Sequence, residues 1–67
     1  MTIPQIAQKY KISEAYLNSK DDALKIAATS LLDLKAIILN DDEPKENIAS
    51  KIQFLADFLM DCKNSNH

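Results

Sequence analysis

Residues 19–62 read SKDDALKIAATSLLDLKAIILNDDEPKENIASKIQFLADFLMDC, and this stretch decides the fold. Ser19 is followed three residues later by Asp22, a pattern similar to a capping box with an acid in the usual Glu or Gln place. Asp21 and Asp22 also suit the positive end of a helix starting there. Apolar residues then recur at Leu24, Ala27, Ala28, Leu31, Leu34 and Ile38, the three-four spacing of one buried stripe. Asn40-Asp41-Asp42-Glu43-Pro44 breaks that pattern, with Asp42 or Glu43 placed to cap the next helix and Pro44 tolerated in its first turn. The second stripe carries Ile48, Ile52, Leu55, Leu59 and Cys62. Each stripe covers fourteen residue steps, so the pair predicts an antiparallel hairpin of helices near 21–39 and 44–62. Leu24 should lie near Cys62, Leu31 near Leu55 and Ile38 near Ile48. An aspartate at 31 or 55 would then bury an unpaired charge and abolish folding.

Ahead of the hairpin, residues 2–17 read TIPQIAQKYKISEAYL, a short helix near 3–10, a turn, and a second short helix near 14–19. Ala7 is small enough for two helices to cross there, Ile12 plugs the angle between them, and Leu17 closes the little core. Ser13 is placed to cap the second helix. At the other end, Lys63-Asn64-Ser65-Asn66-His67 reads as a frayed polar tail. The expectation is a single all-α domain over 1–67, with a helix-turn-helix-like segment at 1–20, a helical hairpin at 21–62 and a disordered tail at 63–67.

Apolar residues off the two stripes exceed what one hairpin covers: Leu32, Ala36, Ile37 and Leu39 on the first helix, and Phe54, Phe58 and Met60 on the second. Either the amino-terminal pair folds over them or two hairpins pair into a dimeric four-helix core, and both are expected in part. Leu32, Ile37, Leu39, Phe54, Phe58 and Met60 are accordingly the candidate dimer or partner interface. Plain core is the competing reading of Phe54, Phe58 and Met60, and a groove for a foreign helix is a third.

Size makes a second copy attractive. A domain of 67 residues buries only about 60% of the surface its unfolded chain exposes. Cys62 is the only cysteine and His67 the only histidine, which excludes an internal disulfide and a zinc-ligand set. With no apolar leader segment and no run of about 18 apolar residues, a cytoplasmic setting without membrane contact is expected. The chain has no Gly, Val or Trp, which favours helix over sheet. Catalysis, a cofactor and a metal are not expected. No Gly-rich phosphate loop can form, Cys62 falls on the buried stripe, and the acids at 41–43 and Glu46 lack the spacing of a calcium loop.

Charge is unevenly spread. Residues 1–20 hold three lysines against Glu14, whereas residues 21–67 hold five lysines against nine acids, and there is no Arg anywhere. Any nucleic-acid contact would therefore fall to the first segment.

The pattern Ile6-Ala7-x-x-Tyr10-x-Ile12-Ser13-x-x-Tyr16-Leu17 resembles the helix-turn-helix segments of bacterial and phage DNA-binding regulators. The resemblance implies a recognition helix after Ser13, with Glu14, Ala15, Asn18, Ser19 and Lys20 facing the major groove and Lys9 and Lys11 near phosphates. Lys11 stands where such proteins commonly place Gly, a change tolerated where the backbone is not left-handed. A homodimer would present two such helices about 34 Å apart to double-stranded DNA. The alternative function is an acidic helical protein-binding module, such as an inhibitor, antitoxin, immunity factor or adaptor, using the apolar hairpin surface. Lysines sharing a face with Asn18 would favour DNA, and scattered lysines would favour a protein partner.

Overall fold

Thr2 starts the first helix by closing both halves of a capping box. Its hydroxyl accepts from the Gln5 N–H at 3.3 Å, and its own N–H donates to the Gln5 side chain at 2.8 Å. Pro4 follows in the first turn, where its missing N–H leaves no bond unmade. In the computed structural model, which describes residues 1–65, this helix (α1) spans Ile3–Lys9. It is followed by α2, Lys20–Asn40, and α3, Lys45–Lys63. The chain is all-α, and α2 and α3 pack together as the expected hairpin, each within one residue of its expected bounds. The hairpin sets the long dimension of 39 Å.

α1 ends in a Schellman motif. The Ile12 N–H donates to the Ala7 carbonyl at 2.9 Å and the Lys11 N–H to the Gln8 carbonyl at 3.3 Å, which satisfies two of the carbonyls a helix end leaves open. Lys11 sits at φ 58, in the left-handed region that glycine occupies without a Cβ clash. The sequence-based condition that this turn not be left-handed is therefore not met. The turn keeps its shape with a lysine in the strained position.

The helix expected near 14–19 does not form. Residues 14–16 make one turn, closed by the Tyr16 N–H on the Ser13 carbonyl at 2.9 Å, with the Ser13 hydroxyl accepting from the Ala15 N–H. A six-residue segment recovers too few hydrogen bonds to repay helix nucleation. The next residues are also claimed by α2. Ser19 is its N-cap, extended at φ −154 and ψ 171, and accepts from the Asp22 N–H. The Asp22 carboxylate reaches back to the Asn18 N–H at 2.9 Å, one residue earlier than in a full capping box. Leu17 is buried between these two turns at 1% exposure.

Asp41 closes α2 in the left-handed region at φ 56, its N–H donating to the Ile37 and Ile38 carbonyls. Neither Asp42 nor Glu43 caps α3. Pro44 holds the N-cap position without a side-chain cap, its carbonyl taking the Asn47 and Ile48 N–H groups. The expected tail is partly ordered too: Lys63 closes α3, and Ser65 is buried, its hydroxyl donating to the Cys62 carbonyl at 2.8 Å. Asn66 and His67 lie outside the described residues.

The buried stripe of α2 is rotated from its expected position. Ala23, Ala27 and Leu34 are buried, with Ile26, Ser30 and Ile37 half-buried, while Leu24, Ala28, Leu31 and Ile38 are exposed. This is a shift of nearly one residue step, about 100° on a helix. On α3, Leu55, Phe58 and Cys62 are buried, Ile48 and Leu59 are half-buried and Ile52 is exposed. The cause is the amino-terminal segment, which adds Ile3, Ile6, Ala7, Tyr10 and Leu17 to the same cluster. Their weight draws the core to one flank of the hairpin and leaves the other flank open.

The two leucines that looked equivalent should therefore separate in urea unfolding. Leu55→Ala is expected to cost about 3 kcal/mol, and Leu31→Ala less than about 1 kcal/mol. Lys11→Gly should raise stability by roughly 0.5–1 kcal/mol in the same experiment by relieving the left-handed turn.

Candidate functional site

Of the residues assigned to DNA, Asn18, Ser19 and Lys20 line one recess with Ile3 and Asp21, and Lys9 is turned to α3. Lys9 pairs with Asp61 of α3 at 2.8 Å in a cleft also lined by Tyr10, Phe54, Asp57 and Met60. Lys11 projects from the Schellman turn, and Glu14 and Ala15 belong to the single turn before Leu17. Asn18 and Ser19 are occupied locally: the Asn18 amide donates to the Ala15 carbonyl at 3.2 Å, and Ser19 caps α2. Lys20 stands between that recess and a second one, donating to the Lys63 carbonyl at 3.3 Å and flanking Leu24 and Leu59. It thus sits at the negative end of α3.

The six residues assigned to an interface also divide. Phe58 is core, at 2% exposure. Tyr10 meets Phe58 and Phe54 edge-on, with ring centroids 5.3 and 5.0 Å apart, so Phe54 is half of an aromatic clasp that holds α1. Met60 stands at the mouth of the α1–α3 cleft. Ile37 lies on the flank with Ser30, Asp33 and Lys51. Leu32 and Leu39 are exposed on α2, and Leu39 reaches a recess shared with Leu31, Ile38 and Ile52.

That recess belongs to the open flank. Leu24, Leu31 and Ile38 on α2 and Ile52 on α3 are 64%, 56%, 54% and 50% exposed. Two shallow recesses between the helices join them, one lined by Leu31, Leu34, Lys35, Ile38, Leu39 and Ile52. The other is lined by Lys20, Ala23, Leu24, Leu59, Cys62 and Lys63. Leu24 and Cys62 thus share a recess, as the hairpin register requires. Sequence reasoning placed these apolar residues in the core. A usable signal was the spacing of seven that links residues 24, 31 and 38, and again 52 and 59, a line running straight along a helix.

The α1–α3 contact is the strongest electrostatic feature. The Lys9 ammonium and the Tyr10 hydroxyl both donate to the same Asp61 oxygen, and the two bonds hold the Asp61 carboxyl below the ordinary aspartate range, Lys9 contributing most. The same bond raises Lys9. Burial, followed by the bond to Asp61, raises the Tyr10 hydroxyl. On the other side of α3, burial pushes the Cys62 thiol up, and Asp61 adds to the effect, which opposes thiolate formation. Among the described residues no cluster of His, Cys, Asp or Glu could hold a metal ion, and no helix is long and apolar enough to cross a membrane.

No protein-family model, curated protein or solved structure matches the chain.

A depressed Asp61 stabilises the fold above the ordinary aspartate range, and this contribution is lost as pH falls through the depressed value. In urea titrations between about pH 6 and pH 2, the wild-type protein should start more stable than Asp61→Asn, and the difference should close toward the acid end. Tyr10→Phe removes one donor, so the Asp61 carboxyl, followed by NMR, should titrate at higher pH than in wild type.

Proposed function

We propose that the chain is a small non-catalytic binding module whose open α2–α3 flank holds another protein. The observation that carries this reading is the apolar row of Leu24, Leu31, Ile38, Ile52 and Leu59 along two recesses of one flank, four of them at least half exposed. An exposed apolar row on so small a domain is a site of association. A second copy, giving a four-helix core, and a foreign helix both fit that role. The distribution of lysines favours a protein partner over DNA. Lys9 is held by Asp61 on α3, so of these two only Lys20 shares a recess with Asn18, and an acid, Asp21, lines that recess too. The single turn at 14–16 also offers no second helix for a major groove.

The test pairs two assays. Duplex DNA should show no salt-sensitive binding, whereas affinity capture should recover a protein partner that is lost with Leu31→Asp, a variant that stays helical. Binding to DNA that weakens roughly a thousandfold between about 50 and 200 mM salt would overturn the protein-binding reading.

A further inference from the structure

Resting on the protein-binding reading above, we infer that the open flank of the hairpin is a groove for an acidic amphipathic helix of another protein. Leu24, Leu31 and Ile38 stand two helical turns apart along α2, so they span about 21 Å. Ile52 and Leu59 form the parallel line on α3, with Leu34, Ala23 and Cys62 as the floor. Two parallel rows with a shallow trough between them accept the apolar stripe of a third helix, read by the partner as anchors at three-four-seven spacing.

Charge selects the occupant. Among the described residues, the charged side chains lining the two recesses are Lys20, Lys35 and Lys63, and none is a carboxylate. Of the acids, Asp57 and Asp61 face the α1–α3 cleft, Asp33 lies on the opposite flank beside Lys51, and Asp21 lines a neighbouring recess with Ile3, Asn18 and Lys20. The two ion pairs among the described residues, Lys9–Asp61 and Lys51–Glu43, involve none of the three rim lysines. Lys20 donates to the Lys63 carbonyl. A chain of net charge −2 thus presents a locally positive rim around its apolar strip, complementary to a helix flanked by Asp and Glu. A second copy docked by a two-fold axis would bring the same three lysines against this rim, like against like.

Two synthetic helical peptides of about 18 residues test the assignment, sharing one Leu/Ile stripe and carrying Glu at the remaining positions in one and Lys in the other. By fluorescence anisotropy at about 50 mM salt, wild type should bind the Glu peptide roughly tenfold more tightly than the Lys peptide. The double variant Lys35→Glu with Lys63→Glu should erase or reverse that preference. Leu31→Asp, checked as helical by circular dichroism, should lose the binding. Equal binding of the two peptides, a preference for the Lys peptide or binding of neither overturns the acidic-helix assignment. A mass that doubles with concentration and returns to monomer in Leu31→Asp also overturns it, in favour of a second copy. Binding to anionic phospholipid vesicles without binding to the Glu peptide assigns the strip to a lipid surface and overturns it as well. The parent reading fails separately, through salt-sensitive DNA binding.

Discussion

The clasp of Tyr10 on α3 is the contact on which the arrangement depends. Its ring meets Phe54 and Phe58 edge-on, and its hydroxyl shares Asp61 with the Lys9 ammonium. Aromatic contacts of this kind add stabilisation beyond the area they bury, and here they fix a seven-residue helix too short to persist alone. With α1 held, Ile3, Ile6 and Ala7 join Leu17, Ala23 and Phe58 in one cluster. The hairpin then has a covered flank and an open one.

The hairpin was legible in the sequence because its signals are local. The Ser19 cap, the paired acids after it, the break around Pro44 and the matched stripes each act within a turn or two, and the observed α2 and α3 follow them closely. The buried sector of α2 was legible only in part: Ala27 and Leu34 of the expected stripe are buried, and Leu24, Leu31 and Ile38 are not. Those three are larger and more apolar than Ala23 and Ser30, so periodicity weighted toward hydrophobicity set the stripe too far round the helix. The choice was made by a partner distant in sequence, the amino-terminal segment, and no local pattern on α2 reports it. The missing helix at 14–19 has the same origin. Leu17 is buried and Ser19 must be extended to cap α2, and both demands override the modest helical preference between them.

For the candidate site, sequence reasoning anticipated surplus apolar surface on the hairpin, and Leu32, Leu39, Phe54 and Met60 are exposed as assigned, but it missed the exposure of Leu24, Leu31, Ile38 and Ile52. Phe58 went to the core and Phe54 to the clasp, while residues assigned to the core became the open strip. Position on the helix, rather than residue type, separates the two groups. The same rotation sorts the charges. Asp57 and Asp61 turn with the α1–α3 cleft, and Lys20, Lys35 and Lys63 are left around the strip. Fold and electrostatics are therefore one consequence of where α1 docks.

The most direct measurement is the paramagnetic broadening of Leu and Ile methyl resonances by a neutral soluble gadolinium probe on the dilute protein. Strong broadening is expected at Leu24, Leu31, Ile38 and Ile52, with Ile6, Leu17, Leu34 and Leu55 protected. Protection of Leu31 and Ile38 together with broadening at Leu34 or Leu17 would contradict that expectation, and would place the core on the flank described here as open.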